Sequence, residues 1–429
     1  MKMVLYKTVR HFFPSFNRWI KGMDDPRNKK STKYPLSVMV WIGLLLFILK
    51  LGSRRQINFQ LNTLKLRKNL PFLSEEELEK IAHDGTLAYL LARLTPRELY
   101  KLRAKMVNEL IRKKCLVNHR LFGYYLVVVD GTGYLTFKER HCEYCLERKR
   151  NGETICYYHP VVEAKLVLSN GMALSIETEF IENQTEDADV QDCELKAFYR
   201  LEERLKKSFP QLKICLLLDG LYANGPVFDR CKSNNWKYII VFKEGSMPAT
   251  YQEYLCLKKL SQDCRLGYEK DKLRQEYQWV NTIDYEGRPL NVLECKETKA
   301  REEKRHLWIT NFKIDKNNIQ AIANKGGRLR WKIENEGFNM QKNGGYNLEH
   351  PYSEHQVAMK NFYLLLQIAH IISQLMEKGS LLKAAAEKVF GSIRNFSYRL
   401  LEDLRNNIFD PTEIESVRSS AFQIRLRGP

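Results

Sequence analysis

Hydrophobic and polar residues change their spacing near residue 118, and this change separates two kinds of predicted structure. Before it, apolar residues recur at helical spacing, and the 14 residues from Leu36 to Leu49 predict one buried helix. This stretch is too short for a membrane span, which takes about 20 residues. We therefore expect residues 1–118 to form a helical N-terminal region, and we expect no membrane partner.

Residues 119–244 have the pattern of strands combined with helices. Leu121 to Val129 and Lys213 to Leu218 are continuous apolar runs, as in strands that are buried on both faces. Ser169-Asn170-Gly171 separates two further runs and predicts a hairpin. An amphipathic stretch over 190–209 predicts a helix. Together these elements predict a mixed α/β sheet.

A β-rich insertion is predicted at residues 245–312, where three segments have strand patterns, at 275–285, 289–295 and 306–312. Residues 313–378 return to helical spacing and are expected to complete the sheet domain. Residues 379–429 predict C-terminal helices, followed from Pro411 by a basic, poorly ordered tail. The predicted fold class is therefore α/β: a mixed sheet with helices, interrupted by a β-rich insertion and preceded by a helical N-terminal region.

The charge of the chain suggests what it binds. Lys and Arg total 70 against 51 Asp and Glu, which gives a formal net charge of +19. A chain this basic favours a polyanionic partner, with nucleic acid ahead of a membrane surface, over a generic positive surface. Basic clusters within residues 1–118 favour DNA binding by that region over simple packing. Ten cysteines in unrelated contexts suit a reducing cytoplasm and argue against a secreted disulfide framework.

Two of the predicted strands end in Asp-Gly, at Asp130 and at Asp219. Ligands usually bind where the strands of such a sheet end. A third carboxylate, Glu334, follows a Gly-Gly break in a segment of helical spacing. It lies four residues after Arg330, so the two share one face, and a plain ion pair is the simpler interpretation. Three carboxylates are nevertheless enough to hold Mg²⁺ or Mn²⁺, which prefer oxygen ligands.

A second group of candidate metal ligands lies between the two aspartates. Cys142 and Cys145 are followed, after ten residues that include an Asn-Gly turn signal, by Cys156 and His159. Three thiolates and an imidazole at this spacing predict a Cys/His knuckle at 141–160 that binds a structural Zn²⁺. His141 is the substitute ligand if His159 is not one. The alternative interpretation is chance clustering of unbound thiols.

Taken together with their neighbours, Asp130, Asp219 and Glu334 resemble the sequence of a DDE transposase of bacterial insertion sequences. The resemblance covers most of the chain, from the Tyr34-Pro35-Leu36 helix to about Met376, and implies an RNase H-like catalytic core with a β insertion before the final Glu. The most specific segments are Val129-Asp130-Gly131-Thr132-Gly133, Glu163-Ala164-Lys165-Leu166-Val167, Leu218-Asp219-Gly220-Leu221-Tyr222-Ala223 and Ile333-Glu334-Asn335-Glu336-Gly337-Phe338-Asn339.

The resemblance implies cut-and-paste excision and insertion of an insertion sequence. Asp130, Asp219 and Glu334 are then the catalytic residues and hold two Mg²⁺ or Mn²⁺ ions for phosphodiester hydrolysis and strand transfer. The implied partners are the inverted repeats at the transposon ends and target DNA, bound by a homodimer in a synaptic complex at the bacterial nucleoid, in the cytoplasm. Phosphate contacts are expected from the basic residues around Glu334, namely Arg328, Arg330, Lys332 and Lys342.

Two positions depart from the Tyr, Arg, Glu and Lys signature that family members with a β insertion often carry. Arg330 and Glu334 match it, whereas Gly327 occupies the Tyr position and Gln341 the Lys position. We expect Gln341 to replace part of the lost Lys contact, with Lys342 one residue further.

Several alternatives stay open at this stage. Glu336 is an alternative to Glu334 as the third carboxylate. Trp279, in the insertion, is either a stacking platform for a flipped base or, as we expect, a core residue of the insertion. For the whole chain, the alternatives are a catalytically inactive, transposase-derived DNA-binding protein and a metal-dependent nuclease that cuts without strand transfer.

Overall fold

The computed structural model describes residues 1–429 except 184–190, 262, 271–272, 300–301, 383–389, 427 and 429. The described part contains fourteen α-helices and one mixed sheet of ten strands, which confirms the predicted mixed α/β class and its helical N-terminal region. The N-terminal helices are α1 (Lys2–Phe12), α2 (Phe16–Lys21), α3 (Leu36–Ile48), α4 (Leu64–Ser74), α5 (Asp84–Leu91) and α6 (Pro96–Arg112).

Helix α3 is the predicted apolar helix, and every one of its residues is buried. A helix that is apolar all round has no face suited to water, so it needs neighbours on every side. The long helix α12 (Gln356–Lys378) packs against α3 and also against α6. Among the described helices, none has both the length and the apolarity that crossing a membrane requires.

The sheet has the order β2-β3-β1-β5-β6-β10-β9-β8-β7, and β4 also pairs with β3, on the same side as β2. Strands β1 and β5 are parallel, as are β5 and β6, and the remaining neighbours are antiparallel. The bounds are β1 (Tyr125–Phe137), β2 (Leu146–Arg150), β3 (Glu153–Val167), β4 (Ala173–Phe180), β5 (Ile214–Leu218), β6 (Lys237–Val241), β7 (Arg265–Lys270), β8 (Leu273–Tyr285), β9 (Arg288–Lys299) and β10 (Glu302–Thr310).

The β-rich insertion extends this sheet, because β10 pairs with β6 through Trp308 and Val241. The remaining helices are α7 (Glu194–Ser208), α8 (Gly225–Ser233), α9 (Pro248–Leu260), α10 (Ile319–Asn324), α11 (Met340–Asn343), α13 (Ile393–Asn406) and α14 (Pro411–Ser419). Parts of the helices predicted over 190–209 and 381–404 lie outside the described residues.

Two local predictions are wrong. The tail from Pro411 forms helix α14, because Asp410 accepts a capping hydrogen bond from the backbone N–H of Thr412 and Ile414 is buried. The stretch around Glu334 is not one α-helix. It is a 3₁₀ segment, Gly327–Trp331, followed by a π-helical segment, Ile333–Asn339. We call the two together the Glu334 segment.

Candidate active site

The sheet brings Asp130 and Asp219 side by side. In the parallel pair β1 and β5, Val128 lies beside Leu217. Continuing this register by two residues sets Asp219, the first residue after β5, next to Asp130. The sequence folds this way because both runs are apolar enough to be central strands, and each carboxylate marks the point where its run reaches solvent.

Among the described residues, each of the two aspartates forms an ion pair with one basic side chain. Arg330 Nη1 lies 3.3 Å from Asp130 Oδ2, and Lys243 Nζ lies 3.5 Å from Asp219 Oδ1. Burial raises the pKa of Asp130 to about 6; the Arg330 guanidinium opposes this shift, and the charges of Glu194 and Asp219 add to it. Three carboxylates, those of Asp130, Asp219 and Glu194, thus lie near two cations.

Glu194, in the first turn of α7, is a site residue that the sequence analysis missed. The hydroxyl of Tyr222 donates to its Oε1 at 2.7 Å, and any side chain at Gly131 would collide with its carboxylate. The absence of a side chain at Gly131 thus leaves the space next to Asp130 that the Glu194 carboxylate occupies. The only sequence signal was an acidic residue near the start of a predicted helix, which is common at helix N-termini for electrostatic reasons.

The Glu334 segment brings Arg330 to the sheet but leaves its two acids in different environments. Arg330 is directed to Asp130, and among the described residues it forms no ion pair with Glu334, which is exposed. Glu336 accepts a hydrogen bond from Lys332 at 2.9 Å, and its second oxygen is buried with no hydrogen-bond partner among the described residues. Both acids remain candidates for the third carboxylate.

The two departures from the family signature have packing reasons. The indole of Trp308 lies directly against Gly327, so no side chain fits there, least of all a tyrosine. Gln341 is fully buried and donates to Oε1 of Gln367 at 2.8 Å. A fully buried side chain cannot reach DNA, so the expectation that Gln341 replaces part of the lost Lys contact is wrong.

Each residue that is expected to contact a DNA phosphate pairs with an acidic side chain of the protein. Besides the Arg330 and Lys332 contacts, Arg328 bonds to Glu297, and Lys342 Nζ lies 3.0 Å from Glu349. Phosphate contacts by these side chains would require exchange of protein carboxylates for phosphate oxygens.

Tryptophans in this half of the molecule differ sharply in exposure. Trp279 is 4% exposed in the packing of the insertion, as expected for a core residue. Trp331, which the sequence analysis did not single out, is 58% exposed, and the Arg330 guanidinium carbon lies 4.9 Å from its ring centre. Leu221, two residues after Asp219, is also exposed. Two exposed apolar side chains thus lie close in sequence to groups of this site, Leu221 to Asp219 and Trp331 to Arg330.

Glu163 lies directly opposite Asp130 on β3 but has a different environment. It is fully buried and accepts hydrogen bonds from the hydroxyls of Ser175, at 2.8 Å, and Thr178. Its Oε2 lies 3.5 Å from Lys165 Nζ, which in turn donates to Gln367 at 2.8 Å. The Glu-Ala-Lys segment of the resemblance is therefore a buried polar network next to the aspartates.

A separate Cys/His group joins the loop after β1 to strand β3. Cys142 Sγ lies 3.5 Å from both Cys145 Sγ and His159 Nε2, and Cys145 Sγ lies 3.1 Å from His159 Nε2. This group can hold a metal ion. Cys156 is not part of it, because residues three apart on a strand point to opposite faces.

Among the described residues, this is the one group in which three ligand atoms of His, Cys, Asp or Glu all lie within 4.8 Å of one another. The carboxylates around Asp130 are more widely spaced. The chain matches no protein-family model, and no curated protein matches it. Its function is therefore inferred from the geometry of its own residues.

Proposed function

We propose that the protein is a DDE-type DNA transposase, which excises and inserts an insertion sequence by metal-dependent phosphodiester hydrolysis and strand transfer. One observation carries the proposal: two aspartates lie side by side on adjacent parallel strands, Asp130 within β1 and Asp219 directly after β5. With Glu194 they make three carboxylates near two cations. A structural ion pair needs no such excess of negative charge, whereas a site for divalent cations does.

The topology supports an RNase H-like core for this proposal. Strands β4, β3 and β1 form an antiparallel half, and β5 and β6 continue from β1 as parallel strands. Helix α7 lies between β4 and β5 in the chain, and α8 lies between β5 and β6. The Glu334 segment follows the insertion and contacts β1 and β3 on the sheet.

The donor set fits Mg²⁺ or Mn²⁺ in type, since Asp130 and Asp219 offer only carboxylate oxygens. Two such ions, when bound, activate the attacking oxygen and stabilise the leaving oxygen of an in-line displacement at phosphorus. Glu334, or Glu336 in its place, contributes the third carboxylate by moving inward from the Glu334 segment.

The surrounding side chains then have defined roles towards DNA. Arg330 and Lys243, each at more than 3.2 Å from its aspartate, can turn to a phosphate once the negative charge of the aspartates is neutralised. Trp331 offers an exposed ring for a base near the cleaved phosphate, the role that buried Trp279 cannot take. The net charge of +19 supports DNA as the partner. Two DNA ends also require two active sites, which favours a homodimer.

The test is cleavage and joining of DNA that carries the inverted repeats flanking the coding sequence, with Mg²⁺ or Mn²⁺. Wild type is compared with Asp219→Asn and with the matched control Asp229→Asn, an acid that pairs with Arg288 on the surface of α8. We expect nicked and joined products from wild type and the control, and none from Asp219→Asn.

Two other outcomes would replace the proposal. Cleavage without joined products would make the protein a metal-dependent nuclease. Specific binding of the ends without any cleavage would make it an inactive DNA-binding descendant, an alternative favoured by the occupied space at Gly327 and the buried Gln341.

A further inference from the structure

The loop after β1 brings together soft metal ligands that the proposed catalysis does not use. The Sγ atoms of Cys142 and Cys145 and Nε2 of His159 lie within 3.5 Å of one another. The distances suit three donors around a common centre, since Zn–S is about 2.3 Å and Zn–N about 2.1 Å in tetrahedral sites. Two thiolates and an imidazole select Zn²⁺ over Mg²⁺ or Mn²⁺.

A closed structural site needs a fourth ligand, and the chain offers two. Cys156 lies on β3 three residues before His159, so strand alternation directs it to the opposite face. His141 is the neighbour of Cys142, and its ring centre lies 6.4 Å from that of His159. Two imidazoles on one zinc have ring centres roughly 5–6 Å apart, given Zn–N of about 2.1 Å, so a small shift of His141 completes the site.

The hydrogen bond of His141 orients its ring for this role. Its Nε2 lies 2.7 Å from the backbone carbonyl oxygen of Glu354. A carbonyl can only accept, so Nε2 carries the proton and Nδ1 keeps a free lone pair. Zinc-bound histidines commonly donate their other N–H to a carbonyl in this way, which fixes the tautomer. The ring also stacks on Phe137 at 4.3 Å, which restricts its rotation.

We propose that Cys142, Cys145, His159 and Nδ1 of His141 bind one structural Zn²⁺. The ion fastens the loop after β1 to β3, at the base of the hairpin formed by β2 and β3. This hairpin is the edge of the sheet, and its tip is a tight Asn151-Gly152 turn with three exposed basic residues before it, Arg148, Lys149 and Arg150. Two strands at a sheet edge have little core of their own, so a metal at their base sets the direction of the basic tip.

The experiment measures metal content and ligand identity in the full chain, independently of DNA cleavage. Wild type, Cys142→Ser, His141→Ala and Cys156→Ser are purified under reducing conditions, and bound zinc is quantified per chain. Cobalt(II) is then titrated into the metal-free proteins, and its visible absorption separates two-sulfur from three-sulfur coordination. Hydrogen exchange of residues 138–160 reports the order of the hairpin.

We expect one zinc per chain and a two-sulfur cobalt spectrum for wild type and for Cys156→Ser. Cys142→Ser and His141→Ala should bind at least tenfold more weakly, and metal removal should speed exchange in 138–160 without unfolding the rest. If His141→Ala disturbs the loop by itself, the more conservative His141→Asn gives the same comparison. A three-sulfur spectrum that Cys156→Ser abolishes would overturn the ligand set. Wild type that binds neither zinc nor cobalt, or that carries a Cys142–Cys145 disulfide, would overturn the site.

Discussion

Asp130 and Glu163 lie opposite each other on neighbouring strands, yet their environments differ. Glu163 is fully buried, accepts two hydroxyl hydrogen bonds and has Lys165 beside it. Asp130 reaches solvent, has Arg330 at 3.3 Å and is surrounded by the further negative charges of Glu194 and Asp219. A buried acid with its full set of partners stabilises the fold, whereas an acid in excess of its partners is available to bind a cation.

The same contrast extends to the neighbours of each acid. Around Glu163, Arg103 spans to Ser175 and Glu177, so every charge in this buried network is shared by several groups. At the candidate site, among the described residues, each aspartate pairs with a single cation, from the Glu334 segment or from the residues after β6. Substitutions in the buried network should therefore lower the stability of the protein, and substitutions at the candidate active site should lower its activity.

The largest effect on stability is expected from Glu163→Ala. Removing one partner of a buried ion pair leaves the charge of Lys165 without its carboxylate and two hydroxyls without their acceptor, which costs about 3–5 kcal/mol. Urea unfolding would measure it against Glu349→Ala, which removes a surface pair with Lys342 and should cost at most about 1 kcal/mol. Equal stability of the two variants would contradict the distinction between the buried network around Glu163 and the more exposed acids.

The next largest effect concerns the third carboxylate and compares Glu334 with Glu336 within the candidate active site. Glu334→Gln should lower the cleavage rate by more than the roughly 100-fold that loss of an outer contact to a metal costs. Glu336→Gln loses only its contact with Lys332 and should retain cleavage within about tenfold. Rates measured on the same end DNA decide between them, and the reverse order would assign the role to Glu336.

A smaller effect is the pH dependence of the metal-free protein. The pKa of Asp130 is raised to about 6 from 3.8, so the folded chain keeps a proton that the unfolded chain releases between these values. The stability that this proton confers is present below pH 4 and is lost as pH rises through 6. Unfolding free energies from pH 4 to 7 should therefore fall for wild type relative to Asp130→Asn, which cannot ionise. Parallel curves for the two proteins would contradict the raised pKa.

The sequence predicted the two central strands that position Asp130 and Asp219. Central strands must be apolar throughout, so Asp130 and Asp219 were recognisable as the places where two such runs stop. The buried helix at 36–49 and the Asn151-Gly152 turn, where both residues have positive φ, were confirmed for similarly local reasons.

The predictions that were wrong or missing concern contacts between residues that are far apart in the sequence. The Glu194 carboxylate lies against Gly131 because of how α7 packs on the sheet. The indole of Trp308, on β10, occupies the space that a side chain at position 327 would need. The Glu334 segment has helical spacing, but 3₁₀ and π turns change which residues share a face, so the pairing of Arg330 with Glu334 did not follow. Cys156 was grouped by its spacing in the sequence, while alternation along β3 separates it from His159.

The most direct test of the contrast between the candidate active site and the buried network around Glu163 is thermal unfolding at pH 7.5. It is measured with and without Mn²⁺, for wild type and Asp130→Asn. A neutral amide avoids the cost of burying a charge, which is the largest cause of the raised pKa of Asp130, so metal-free Asp130→Asn should unfold at a higher temperature than wild type. Mn²⁺ should raise the unfolding temperature of wild type and leave that of the variant unchanged. An Asp130→Asn protein that is less stable than wild type, or that responds equally to Mn²⁺, would contradict the proposal that the site around Asp130 binds metal.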